Sequence, residues 1–384
     1  MKTLTALVFS MAIFSAGAAE LFVDYSRKNK SAYTDFQSAL ANAKSGDTIK
    51  ILKVDFPIHD AVIIKNRSNI TVDGMFNTFI GTEKASAKNW NKIAPGLWKR
   101  DIRVAPGISM RYFMVINGKL NRMGRFFKAK CNTRYKKIDE LKENEWTIVE
   151  NPNTTIKKTR LYSIYLKLDQ SINDISLAGI AEPRAAKTNG VELSGKCRNI
   201  TFKNMICRNF WNDGFNIHKT CTNTVFDTIC AIDCGDDGIS AHENSSIIVK
   251  NFVSIGNSTG ICHIDQVAAS HQDCYISGAL GRDIYFQSKP KNLLNNSLKN
   301  VFIKSSAAGG VFLGAAPQDK LVIDNLNIVL EQPSSAFHFV PDKKANVSAS
   351  NITVTGKEPE KMVLFRKSLF AKFNGEIEKN LAVR

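Results

Sequence analysis

Beyond its first twenty residues the chain has no long hydrophobic run. A membrane-spanning helix needs about twenty consecutive apolar residues, so no later segment is expected to cross a bilayer. Zinc spacing is missing too: Cys230 and Cys234 stand four apart, with no matching second pair and no histidines to complete a site. No cysteine follows the small residues near position 19, which argues against a lipid anchor. Acidic residues are scarce relative to basic ones, 35 against 52, and the formal charge is +17. No dense basic cluster accompanies that excess, as a nucleic-acid-binding tract would require.

What is present points to export. Lys2, an apolar stretch from Leu4 to Phe14 and the small residues Ser15 to Ala19 read as a cleavable signal over 1–19. An exported basic chain is expected to meet an anionic polysaccharide rather than nucleic acid. No integral membrane segment is expected in the mature chain, and a monomer is the expected state. The eight cysteines permit disulfides. Seven of them fall between Cys197 and Cys274, where small buried thiols fit a repeat interior; one or two bridges are the expectation.

The chain divides by pattern. Residues 20–84 read as an N-terminal cap and first coils. Phe36, Leu40 and Ala43 share a helical face ahead of Gly46, read as the C-cap, and a strand over Thr48 to Leu52. Residues 85–170 hold three of the four tryptophans, alternating runs and an Asn117-Gly118 turn signal, and read as an antiparallel β-rich insertion. Residues 171–384 are repetitive. Residues 197–219 align with 221–243 at an offset of 24 without a gap, with Cys, Asn, Phe, Asp, Gly and His repeated in place. A third copy follows, with Gly260 placed 22 after Gly238. Short strands at such a period, without intervening helices, predict an all-β solenoid: a right-handed parallel β-helix with an N-terminal capping helix and a β-rich insertion. Equivalent residues then stack at about 4.8 Å.

That stacking turns the repeat into columns. Strand alternation sends Phe215, Ile217, Ile239 and Ala241 inward, and Asn216, Ser240, His218 and His242 outward. Asp213, Asp236 and Asp237 sit just before the glycines. Three carboxylates one coil apart push at least one pKa upward, and a protonated acid beside an ionised one suits glycosidic hydrolysis. The bland alternative is an Asp-Gly turn, in which Gly supplies positive φ. Calcium ligation is a third possibility. His242 is the histidine expected to assist the acids, and His218, Lys219, Glu243, Asn216, His263 and Arg282 are candidate substrate contacts. His263 lies in the inward column unless a bulge shifts it, and His271 to Asp273 could border the outer face. No metal is assigned.

These residues resemble a known family. Residues 33–52, YTDFQSALANAKSGDTIKIL, look like the start of pectate-lyase-like β-helices, and NDG and GDDGIS, 24 apart, are similar to the catalytic columns of polygalacturonases. The resemblance implies hydrolysis of an acidic polymer with inversion, carried by Asp213, Asp236 and Asp237. The chain departs from that pattern where the family places a histidine between glycines, because Ser258-Thr259 stands there. Gly281-Arg282-Asp283-Ile284 only echoes the family's basic motif. The superfamily also contains lyases and epimerases. A polysaccharide lyase or uronan epimerase is therefore an alternative, with His242, Lys219 or Arg282 as reacting groups. A non-catalytic glycan-binding adhesin is another. No cofactor is required by the hydrolase reading; calcium enters if the reaction is a lyase.

Overall fold

The computed structural model describes residues 17–84, 87–104, 113–116, 119–121, 125–126, 134–151, 160–169, 172, 175–178, 188–288, 294–305, 310–314, 319–331, 337–339, 346–356 and 381–383. Most of the signal-like segment, the Asn117-Gly118 turn and Cys131 lie outside them. No helix among the described residues is long and apolar enough to cross a membrane.

The chain is a parallel β-helix. Its strands form three parallel ladders, one residue row per coil. The first runs Val62–Lys65, Val191–Ser194, Phe215–Ile217, then residues 239–241 and 261–264, then Arg282–Gln287, Val311–Gly314 and Phe337–Phe339. The second passes through 48–50, 71–73, 201–203, 225–227, 248–250 and 270–272 to 348–350. The third passes through 77–80, 205–208, 229–232, 252–255 and 274–277 to Leu381–Val383. Cys197 pairs with Cys221 and Phe202 with Phe226, so the offset of 24 is the coil length there.

From residue 204 onward a single residue of positive φ turns the second ladder into the third, namely Asn204, Thr228, Asn251, Asp273, Asn300, Asn325 and Asn351, whereas the coil before it turns through two, Met75 and Phe76. Asparagine tolerates this left-handed conformation better than other L-residues. Its amide then bridges coils, as when Asn325 Nδ2 donates to Asn300 Oδ1 at 3.0 Å and Asn300 Nδ2 to Asp273 Oδ1 at 2.9 Å. The interior between the ladders is apolar and continuous. Phe202 and Phe226 stack at 5.3 Å with Phe215 edge-on. The seven described cysteines are unbridged thiols, so the expected disulfides are absent among the described residues. Cys197 and Cys221 instead aim at the carbonyls three residues before them, Ser194 O at 3.4 Å and His218 O at 3.2 Å.

A short helix, Phe36–Asn42, precedes the second strand. Asp35 caps it by accepting the Ser38 amide at 2.8 Å, and Phe36, Ala39 and Leu40 are buried against strands Glu20–Val23, Thr48–Ile51 and Val62–Lys65. The helix ends at Ala43 in extended conformation, ahead of Gly46. Gly46 adopts positive φ in the following turn and donates to Asn69 O.

Between Ile80 and Gly190 the chain leaves the coil. Antiparallel sheets order as Trp146–Glu150, Arg160–Lys167, Leu97–Val104, Asn91–Ala94, and as Thr82–Lys84, Ile175–Ala178, Phe113–Ile116, Lys119–Asn121. They enclose a second core of Trp90, Met114, Trp146, Ile164 and Leu166. Trp90 and Trp146 are buried in it, and Trp98 packs on it while donating Nε1 to Leu168 O at 2.9 Å. Trp90 and Trp146 thus serve the insertion's own core, and Trp98 keeps part of its surface outside it, with Lys92 Nζ 5.6 Å from its ring centroid.

The solenoid interior also holds two histidines. His263 pairs in register with Ala241 and points inward, where it stacks on Phe286. Its Nε2 lies 3.0 Å from His271 Nε2, and both rings are wholly buried. His271 therefore does not border the outer face, and His263 cannot reach a substrate. Burial pushes His271 down to about 4 and His263 well below its usual value. Unfolded, each ring titrates near 6.5, so between about 4 and 6.5 the unfolded chain binds the extra proton. Stability is therefore full above pH 6.5 and falls as pH drops toward 4, by about 3 kcal/mol for His271 alone. Denaturant midpoints at pH 7 and pH 4.5 should differ strongly in the native chain and less in His271→Phe. An unchanged difference in the variant would remove His271 from the acid response.

Candidate active site

The acids occupy the turn that leads from the third ladder into the first. Successive coils tie this turn together through backbone bonds: Gly235 N to Phe210 O at 2.8 Å, Asp236 N to Asn212 O at 2.9 Å and Ser258 N to Asp236 O at 2.6 Å. The glycines that follow do not adopt positive φ. They are required by close approach. A Cβ on Gly214 would stand 2.6 Å from Ala231 Cβ, and one on Gly238 would stand 2.6 Å from Gly260 O and 2.5 Å from Ser254 Oγ. The motif is thus a contact between ladders rather than a left-handed turn.

One oxygen from each of Asp213, Asp236 and Asp237 lies within 4.8 Å of the other two. All three residues are buried, Asp236 least so at 6% exposure. Asp213 accepts donors on both of its oxygens. Its Oδ1 accepts the Asp237 amide at 2.9 Å, and its Oδ2 accepts from Asn216 Nδ2 and, at 3.2 Å, from Asn212 Nδ2. Two acceptor oxygens meeting three donors are the pattern of an orienting carboxylate. Asn189 extends the network one coil down, its Oδ1 accepting from Asn212 Nδ2 at 2.8 Å and its Nδ2 donating to Glu192 Oε2 at 3.1 Å. Neither Asn189 nor Glu192 was among the sequence candidates. The signal was there, because Thr188-Asn189-Gly190 stands 24 residues before Asn212-Asp213-Gly214.

The histidines form a separate cluster. His218 and His242 face outward as expected and stack at 4.6 Å, nearly parallel. Yet each follows its aspartate by five residues, roughly 16 Å of extended strand at 3.3 Å per residue. Between them lies the column Asn216–Ser240, turned outward but covered. Asn216 donates to Asp213, and Ser240 Oγ sits 2.7 Å from His242 Nε2. A polar row thus runs from the acids to the imidazoles, in place of one compact constellation. Burial lowers the His218 pKa against the opposing pull of Glu243 and Glu192. Lys219 and Glu243 form the surface ion pair, Nζ to Oε1 at 2.6 Å, and the Lys219 bond holds the Glu243 carboxyl below its usual range. Lys219 and Glu243 both have positive φ at the turn that ends this strand.

Arg282 belongs to the acid column. Asp237 pairs in register with Thr259 and Thr259 with Arg282. Arg282 therefore stands in the same column two coils on, roughly 10 Å from Asp237 at backbone level. Trp211 touches both halves of the molecule. Phe210 before it is buried in the solenoid core, Trp211 packs against the core of the insertion, and Asn212 after it joins the acid network.

The fold and this site define the class: a parallel β-helix with a carboxylate cluster on its first ladder. No family profile and no curated protein sequence matches the chain. Among solved structures it is similar to XylC in complex with xylose, at TM-score 0.40 and 10% identity over 88% of this chain and 76% of that one. A polygalacturonase from Erwinia carotovora ssp. carotovora follows at TM-score 0.25 and 13% identity, over 88% and 96%. At these scores neither likeness bears on substrate or reaction.

Proposed function

We propose that the protein is an exported, monomeric glycoside hydrolase acting on an anionic polysaccharide. The carrying observation is the trio Asp213, Asp236 and Asp237, whose oxygens converge within 4.8 Å on adjacent coils. Asp213 orients. Asp236, the most exposed of the three, donates a proton to the leaving oxygen, and Asp237 takes the proton of the attacking water. Arg282, in the same column, supplies positive charge for an acidic sugar substituent. His218, Lys219 and Glu243 stand toward the far end of the strand, roughly 16 Å along it from the acids, as further substrate contacts. The excess of basic residues favours a polyanion over a neutral glycan.

A second reading is favoured by the same distance. Oxygens around a calcium ion at 2.3–2.6 Å lie within about 5 Å of one another, so Asp213, Asp236 and Asp237 could hold that ion for a lyase. One experiment separates the readings. Pectic, alginate and sulfated galactan substrates are incubated with the protein, with and without a calcium chelator. Hydrolysis gives new reducing ends without ultraviolet absorbance and is indifferent to chelation. A lyase gives an absorbing unsaturated product that chelation stops. Binding without either product supports a glycan-binding role and removes the hydrolase.

A further inference from the structure

We propose that His218, stacked on His242, is a subsite for one acid group of the polyanion and grips that group only as an imidazolium; the inference rests on the polyanion reading above. The His218 side chain is 42% exposed, and neither of its ring nitrogens has a hydrogen bond among the described residues. Glu243 Oε2 stands 3.9 Å from Nδ1, beyond hydrogen-bonding range. That carboxylate is already taken by the Lys219 amide and, at 2.6 Å, by Lys219 Nζ. Glu192, the other acid that acts on His218, accepts from Asn189 Nδ2 at 3.1 Å. A proton on His218 thus adds a positive charge whose nearest carboxylates are already engaged. The open edge of the ring is left to an anion from outside.

The stack fixes where that charge stands. The two rings lie 4.6 Å apart at an interplanar angle of 9°. Ser240 Oγ sits 2.7 Å from His242 Nε2, so His218 lies on a ring that is itself oriented. The next coil has Ile264 in place of a third imidazole. Like charges at this spacing oppose each other, so the pair takes up one proton at a time. Burial lowers the His218 pKa, Glu243 and Glu192 oppose that shift, and Lys219 adds to it. His263, which acts on His242 from the interior, is neutral because burial holds it well below its usual value. At neutral pH the free His218 ring is therefore uncharged and the subsite is off. A bound carboxylate or sulfate favours the imidazolium and raises its pKa. Affinity thus climbs as pH falls from the raised value and levels off below the lowered one. Because His218 stands roughly 16 Å along the strand from Asp213, the effect belongs to binding, and no bond is made or broken there.

The test measures Kd for a pectic uronan and for a sulfated galactan at pH 5.5 and 7.5, with neutral galactan as control. It uses the full-length protein, His218→Gln and His218→Lys. The unaltered protein should bind a polyanion about threefold to tenfold more tightly at pH 5.5, the scale of one partly exposed charge pair. The polymer that shows the shift identifies carboxylate or sulfate as the group recognised. His218→Gln should keep the weaker affinity at both pH values. His218→Lys, cationic throughout, should bind tightly at both. In a turnover assay the same shifts should appear in KM, with kcat nearly unchanged. An identical pH dependence in the unaltered protein and His218→Gln overturns the subsite, and if both still cleave the polymer the hydrolase reading stands. A glutamine variant that melts well below wild type yet keeps the full shift makes the stack structural and overturns the proposal likewise. A shift of equal size on neutral galactan overturns it as well. If no polymer is cleaved, the hydrolase reading falls, and the Kd comparison still decides the subsite.

Discussion

Asp237→Asn should abolish hydrolysis, lowering the rate by at least about a hundredfold and up to about ten-thousandfold, while leaving the fold intact. The size follows from removing a general base, an effect worth that range. The expectation that the fold survives follows from shape. Asparagine matches aspartate in volume, and the backbone amide of residue 237 would still donate to Asp213 Oδ1. Asp213→Asn is the informative contrast. Asp213 receives donors on both oxygens, and an amide there would aim its own N–H groups at one of them. That variant should lose both activity and stability. Reducing-end assays and thermal melts on the two variants separate the roles; full activity in Asp237→Asn would end the assignment.

The second large effect is structural. Gly238→Ala should lower stability by about 1–3 kcal/mol or more, the cost of overfilling a close-packed contact, and should take the activity with it. The added Cβ would meet Gly260 O at 2.6 Å, Ser254 Oγ at 2.5 Å and Asn257 Nδ2 at 3.1 Å. Ser254 can rotate, but the Gly260 carbonyl belongs to the next coil and cannot yield without opening the stack. Any shift is felt one residue away, at Asp237. Denaturant titration with a parallel rate measurement checks both parts. A variant as stable and active as wild type would mean that the ladders are not held in close contact at this glycine.

The site was partly legible because a solenoid converts sequence period into spatial neighbourhood. The offset of 24 between residues 197–219 and 221–243 is also the register of the ladder. Alternation within one strand sufficed to send Phe215 and Ala241 in and His218 and His242 out. What escaped was whatever depends on distance along the strand or on surfaces without a repeat. The glycines of the two Asp-Gly pairs looked like turn residues, since sequence cannot tell a left-handed turn from a close contact. His271 was expected near the outer face because its partner His263 is eight positions away and meets it across the coil interior.

By itself the sequence determined the β-helix, its coil length, the face that carries the acids and the inward position of His263. Each of these follows from a local pattern repeated by translation, so short-range alternation and period suffice. Only the tertiary structure decided that Asn216 turns back to Asp213 while Ser240 turns to His242. Only it could show that Trp90 and Trp146 of the insertion are core and that Trp211 joins that core to the acid turn. Those facts arise where a side-chain choice or a non-repeating domain sets the contact, and no local rule of the chain encodes them.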